Sequence, residues 1–106
     1  MAWVYLGVAG ILEIVWAYSM KLSEGFTRPG PTVVTLVGTV ASFWFLSLSM
    51  KVLPLGTAYV IWTGIGAVGA FVLGITILGE SVDIMRLIAA ALIVTGLLLM
   101  KLASPH

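Results

Sequence analysis

The sequence contains no cysteine and very little charge. Its 106 residues include only five Lys or Arg and four Asp or Glu, which make up 8% of the chain, whereas an ordinary soluble domain is roughly 25% charged. The lack of cysteine excludes a disulfide-stabilised secreted domain, and a net charge of +1 leaves no basic surface for binding nucleic acid. Hydrophobic residues make up 61% of the chain, more than a protein of this size buries when it folds alone in water. The composition therefore excludes a water-soluble enzyme and a disordered tail, and it predicts an integral membrane protein.

The few charged residues separate four long apolar runs. All of them except Glu13 lie between these runs or at their ends. A helix needs about 20 mostly apolar residues to cross the hydrocarbon core of a bilayer, and continuous runs do not fit the alternating strands of a β-barrel. The first run has no cationic leader and contains a carboxylate, so we do not interpret it as a signal peptide. We predict an all-α membrane protein with a single domain over residues 1–106. Its four short transmembrane helices are predicted at residues 3–20, 32–50, 55–78 and 84–100.

Short connections join the predicted helices. Residues 21–31 contain two prolines and two glycines, which end helices and form loops, and Pro54 marks a tight turn. In the third connection, Gly79 is predicted to cap the third helix, and Ser81 the fourth, with Asp83 in its first turn. The charges around this connection are interpreted as solvated: Glu80, Asp83 and Arg86.

The positive charges give almost no preference for one orientation in the membrane. Lys51 and Lys101 are predicted on the side of the N-terminus, and Lys21, Arg28 and Arg86 on the other. The positive-inside rule counts these residues, and two against three is close to a balance. One interpretation is a chain that inserts in both orientations and pairs antiparallel; the other is a weakly specified protein oriented by other means. Four helices alone enclose little space for a cavity, which favours a homodimer.

Glu13 is the most unusual residue in the sequence. It lies near the middle of the first predicted helix, with no other charge close to it in the sequence. Holding a charge at that depth costs at least about 2.5 to 3.5 kcal/mol, so such a residue faces a bundle interior or a wet cavity. Burial favours the protonated form of a carboxyl group, and a cation reaching the site would compete with the proton. Glu13 therefore indicates coupled exchange of a proton and a cation; the alternative is a neutral carboxyl that only joins helices.

The first two helices carry candidate partners for Glu13. Trp16 lies one turn away and could stack on a cation or donate its indole N–H to the carboxylate; the alternative is an interfacial anchor. Ser42 lies near mid-depth and could donate a hydrogen bond to Glu13, or to a carbonyl of its own helix. Its neighbour Phe43 is assigned to lipid or helix contact.

The third helix carries aromatic residues beside several glycines. Tyr59, Trp62 and Gly66 share one face at helical spacing, and Gly64 lies close to them. The aromatic residues offer a hydroxyl, an indole N–H and two ring faces to a ligand. Glycines at mid-depth allow close helix packing or a kink during alternating access, and we assign a conformational hinge to Gly64 and Gly66.

The fourth helix has no polar residue at mid-depth except Thr95. Ala91 and Thr95, with Gly96 beside them, suit helix association better than ligand binding, so we assign them to a dimer contact. The sequence contains no phosphate-binding loop, no nucleophile–base pair and no credible cluster of metal ligands. We therefore expect no catalytic residue, no metal, no cofactor and no enzymatic activity.

Two segments make the sequence resemble the small multidrug resistance family over essentially its whole length. They are GILEIVWA, around Glu13, and LPLGTAYVIWTGIGAVGA, which contains Tyr59 and Trp62. The string WTGIG is similar to the guanidinium-exporter subtype rather than the polyaromatic-drug subtype. Trp16 and Ser42 also fall where the binding-site residues of that subtype fall.

The resemblance implies an antiparallel homodimer in the bacterial inner membrane, which exports small guanidinium-type cations in exchange for protons. It implies that Glu13 binds substrate and proton alternately, while Trp16, Ser42 and Trp62 line the site and orient Glu13 by hydrogen bonds. Tyr59 would act near the portal, and the third helix would bend at its glycines.

Three other functions stay open at this point. A promiscuous exporter of quaternary ammonium or other lipophilic cations shares the fold and the Glu13 chemistry, and differs in its pocket. A non-transporting membrane subunit would use Glu13 only to pair with a partner's charge. A heterodimer half would need a differently oriented second chain, and would be inactive alone.

Overall fold

In the computed structural model, which describes residues 1–103, the chain forms four α-helices. Helix α1 spans Ala2–Leu22, α2 spans Pro29–Ser49, α3 spans Leu55–Thr76 and α4 spans Ile84–Ala103. Each of the four is long and apolar enough to cross a membrane, which confirms the predicted number of transmembrane helices. The observed ends differ from the predicted ends by at most three residues.

Helix α2 begins earlier than predicted, at Pro29 instead of residue 32. Proline suits the first helical position because its φ is preset for the helix and its missing N–H has no partner there. The preceding connection turns through residues 24–26, which all have positive φ angles. The buried hydroxyl of Ser23 stabilises this turn, since it donates to the Met20 carbonyl over 2.7 Å and accepts the Phe26 N–H over 3.1 Å.

The end of α3 and the beginning of α4 are capped by residues other than the predicted ones. Helix α3 ends at Thr76, and Gly79 lies beyond its C-cap with a φ of +71°, where it reverses the chain. Asp83 caps α4, because its Oδ1 accepts the backbone N–H of Arg86 over 2.8 Å. A carboxylate at this end also complements the positive end of the helix dipole. The predictions of Gly79 as C-cap and of Ser81 as N-cap are therefore wrong.

Helix α1 lies at the centre of the packing. It contacts both α2 and α3, while α2 and α3 meet over a shorter stretch. A glycine allows close approach of α1 and α3, since a Cβ at Gly10 would lie 2.6 Å from Ile65 Cγ2. The buried apolar core is small and consists of Ala2, Leu6, Ala9, Leu46, Leu53, Ala58, Ile61 and Trp62.

Helix α4 lies to one side of this core. Among the four described helices it packs against α3, and it contains no buried residue. The Nζ of Lys101 lies 5.2 Å from the ring centroid of Trp3. This contact places the end of α4 beside the beginning of α1, as the alternating direction of four consecutive helices requires.

Candidate functional site

Glu13 lies where α1 packs closely against α3. Its carboxyl group rests on Gly66, and a Cβ at position 66 would overlap the carboxyl carbon and Oε1. Oε1 is buried and has no hydrogen-bond partner within residues 1–103. Glycine at position 66 is therefore required for this contact, independently of any flexibility that it gives to α3.

Ser42 links α2 to both neighbouring helices. The Trp62 Nε1 donates to Ser42 Oγ over 3.0 Å, and Ser42 Oγ donates to the Ala9 carbonyl over 2.7 Å. Ser42 and Trp62 are both buried, at 0% and 6% exposure. In an α-helix the Ala9 carbonyl also accepts the backbone N–H of Glu13, four residues later. These two hydrogen bonds, called the relay below, therefore fix the turn of α1 that carries Glu13.

The hydrogen bond of Ser42 differs from both sequence-based alternatives. Its hydroxyl donates neither to Glu13 nor to a carbonyl of α2, but to the backbone of α1. The Ala9 carbonyl was missed because a backbone acceptor leaves no signal in the sequence. Only the rotation of α1 relative to α2 determines which carbonyl faces the serine.

Trp16 is held against α2 at a glycine. A Cβ at Gly38 would lie 3.0 Å from Trp16 Cβ and 3.8 Å from Cδ1 of its indole, so glycine lets α1 approach α2 closely at Trp16. Its Nε1 is buried and has no hydrogen-bond partner in the described part of the chain. A buried polar group without a partner costs about 1 to 3 kcal/mol. Trp16 and Glu13 thus carry one donor and one acceptor, one helical turn apart, that have no hydrogen-bond partner in the described part of the chain.

Aromatic rings flank Trp62 on two sides. The Tyr59 ring centroid lies 5.5 Å from that of Trp62, and the Phe43 centroid lies 5.6 Å away, both with interplanar angles of 56°. Tyr59 is 52% exposed in the single chain. Phe43 was assigned from the sequence to lipid or helix contact, and the structure adds it to the aromatic cluster beside Ser42.

The two glycines assigned to a hinge have different surroundings. A Cβ at Gly64 would overlap the Leu97 side chain, so this glycine allows α4 to pack on α3. Gly66 faces the Glu13 carboxyl instead. Helix α3 runs without interruption from Leu55 to Thr76, and a bend at these glycines stays a prediction.

Known proteins are similar in sequence to this chain over nearly its whole length. Residues 1–93 match the model of the family described as Small Multidrug Resistance protein. A guanidinium exporter of Yersinia pseudotuberculosis is 51% identical over 104 residues, which cover 98% of this chain and 100% of the relative. Guanidinium exporters of Proteus vulgaris and Escherichia coli strain K12 are 53% and 50% identical over 104 residues, which cover 98% of this chain and 100% and 99% of the relatives. With four membrane-spanning helices and these relatives, the chain is a multi-pass membrane protein of the small multidrug resistance family.

Proposed function

We propose that this protein exports guanidinium and small substituted guanidinyl cations across the bacterial inner membrane in exchange for protons. One observation carries the proposal: the carboxyl group of Glu13 is held inside an apolar helix bundle with a buried oxygen that has no partner in the described chain. The names of the relatives support the choice of substrate, since proteins similar over their full length are guanidinium exporters.

The chemistry of the substrate fits the groups around Glu13. Guanidinium is planar and presents N–H donors in a fork that matches a carboxylate, so Glu13 would hold it through two parallel hydrogen bonds. The rings of Tyr59, Trp62 and Trp16 would add attraction between the cation and the aromatic faces. Tyr59, which is partly exposed, would act at the entrance to the site.

Exchange follows from the use of one carboxyl group for two ligands. A proton on Glu13 removes the charge that binds guanidinium, and bound guanidinium disfavours protonation. Simultaneous occupancy is therefore disfavoured, so each cation that leaves is replaced by protons from the other side. The hinge at Gly64 and Gly66 would let α3 bend as access changes from one side to the other.

The working unit in this proposal is an antiparallel homodimer. Two observations support it: α4 has no buried residue in the single chain, and the positive charges are nearly balanced between the two sides of the membrane. Two copies of Glu13 would then face one cavity. Two like charges in one cavity cannot both ionise cheaply, so their titrations would be coupled, and one bound cation would relieve the repulsion.

The test is proton movement driven by guanidinium in proteoliposomes that contain only this chain. We expect robust exchange in the native protein and none in Glu13→Gln, which keeps the shape of the side chain and removes its charge. Glu24→Gln is the matched control, because Glu24 lies in the exposed connection between α1 and α2, and it should exchange like the native chain.

The other outcomes separate the alternatives. Exchange with a quaternary ammonium ion but not with guanidinium would contradict the proposed substrate and favour a drug exporter. Folded native protein that exchanges neither cation would refute the self-sufficient antiporter, and would favour a heterodimer half or a subunit that does not transport.

A further inference from the structure

A cavity of about 330 Å³ lies between the C-terminal ends of α1 and α3. Its walls include Ala17 and Ala70. These residues follow Glu13 and Gly66 by four positions, which is one turn along the same face of each helix. The cavity therefore begins one helical turn from the carboxyl group of the candidate site, and its lining extends to the connection between α3 and α4.

Two opposite charges line this cavity: Lys21, from the last turn of α1, and Glu80, from the connection. The positive φ of Gly79 turns the connection back over α3, where the Glu80 N–H donates to the Gly74 carbonyl over 2.8 Å. The Glu80 carboxyl group rests on Gly74, and a Cβ at position 74 would overlap its Oε1. The backbone thus holds the carboxylate across the end of α3.

This is an unfavourable place for an isolated carboxylate. The last carbonyl groups of a helix carry partial negative charge, which a carboxylate does not complement. Within residues 1–103 no cationic side chain lies within 4.0 Å of the Glu80 carboxyl group, since the ion pair found there joins Arg86 to Asp83 at 3.8 Å. If the ends of α1 and α3 moved closer together, the Lys21 ammonium would contact the Glu80 carboxylate, and the two opposite charges would compensate each other.

We propose that Lys21 and Glu80 form a gate for the cation that the protein exports. Their ion pair closes the cavity at this end of the molecule, and an arriving guanidinium opens it by replacing the Lys21 ammonium on the carboxylate. The substrate can compete because guanidinium binds a carboxylate through two parallel N–H bonds, whereas an ammonium binds as a point charge. This inference rests on the proposed export of guanidinium-type cations.

The first test measures access to the cavity with a thiol label. The chain contains no cysteine, so Ala17→Cys places a single thiol in the cavity wall, and neutral N-ethylmaleimide avoids any effect of charge on the reagent. We expect slow labelling without guanidinium, and labelling about fivefold faster with saturating guanidinium. A fivefold change corresponds to about 1 kcal/mol, the upper range for a partly exposed ion pair.

Variants that remove the charge of Lys21 or Glu80 should abolish the effect of guanidinium on the labelling rate. In the Ala17→Cys background, both Lys21→Gln and Glu80→Gln should label at the fast rate with or without guanidinium. Arg28→Gln is the matched control, because Arg28 is at the same end of the molecule and does not line this cavity. It should keep the slow rate and the response.

The second test exchanges the two charges and measures guanidinium-driven proton movement. Lys21→Glu and Glu80→Lys should each slow exchange about fivefold, and the double variant should recover most of the loss. Arg28→Glu controls Lys21→Glu for membrane orientation, since both substitutions lower the charge on the same side by the same amount. A double variant as slow as the slower single variant would overturn the gate.

The labelling result is independent of transport. If the native chain does not exchange guanidinium, the proposed export fails. The labelling rates of Ala17→Cys alone, Ala17→Cys with Lys21→Gln and Ala17→Cys with Glu80→Gln, all without guanidinium, still test the gate. Labelling rates within about twofold of each other in these three proteins would contradict the closing ion pair.

Discussion

Replacing Gly66 by alanine tests whether packing against α3 positions the Glu13 carboxyl group. The added methyl group would occupy the space of the carboxyl carbon and Oε1, while ordinary contacts of a Cβ begin near 3.4 Å. The carboxyl group would therefore have to move by about an ångström. A displacement of that size in a binding or reacting group can cost about a hundredfold in function. We expect guanidinium binding in Gly66→Ala to weaken by about ten- to a hundredfold, as measured by titration calorimetry on purified protein.

Two controls separate this effect from general destabilisation. Gly7→Ala adds the same methyl group to α1 where nothing lies within 4 Å, and alanine favours a helix by about 0.5 to 1 kcal/mol over glycine. This variant should bind like the native chain. In a Glu13→Asp background the atoms nearest to a Cβ at position 66, the carboxyl carbon and Oε1, are removed, while the Cγ position at 2.7 Å stays occupied. The overlap is relieved in part, so Gly66→Ala should have a smaller additional effect there.

The same variant distinguishes a packing role from a hinge role. If Gly66 only allowed α3 to bend, alanine would slow transport and leave equilibrium binding of guanidinium unchanged. Binding in Gly66→Ala within about twofold of the native chain would therefore refute the packing argument.

Two further predictions concern the relay and the shared carboxyl group. Ser42→Ala leaves the buried Trp62 Nε1 without an acceptor and should lower the free energy of unfolding by about 1 to 3 kcal/mol in detergent. Ser47→Ala is the control, because the exposed Ser47 hydroxyl bonds only to the Trp44 carbonyl of the same helix. If Ser47→Ala lost as much stability as Ser42→Ala, the relay would be contradicted. The apparent dissociation constant of guanidinium should rise as the pH falls, by up to about tenfold per pH unit for one competing proton. If calorimetry finds the same dissociation constant throughout the acidic range, a carboxyl group shared between proton and cation is excluded.

The number and approximate positions of the transmembrane helices were predictable because long apolar runs separated by charged residues mark them. The exact ends were less predictable, since they depend on local capping. Pro29 extended α2 by serving as its first residue, and Asp83 took the capping role that had been assigned to Ser81. At α4 the capping residue is the one whose side-chain oxygen reaches a free N–H of the first turn, and at α2 proline suits the first position because it needs no partner for an N–H.

The sequence suggested residues for a candidate site, but it did not predict the contacts that these residues make. Glu13 stood out because a lone carboxylate in an apolar run is costly. The partner of Ser42 did not stand out, because the acceptor is the Ala9 carbonyl and depends on helix rotation. The sequence also suggested flexibility at Gly66, whereas the structure places the Glu13 carboxyl group directly against it.

The Glu13 carboxyl group is positioned by packing instead of by hydrogen bonds to its oxygen Oε1. A carboxylate fixed by hydrogen bonds from its own protein would spend its acceptor capacity on those donors, and a ligand would have to displace them. Here the hydrogen bonds of Ser42 and Trp62 act on the backbone of α1, and contact with Gly66 positions the carboxyl group. The lone pairs of Oε1 are therefore not used by donors of the described chain. Positioning by packing defines the place of the carboxyl group without occupying its acceptor capacity, which is what the proposed exchange of a proton and a guanidinium-type cation requires.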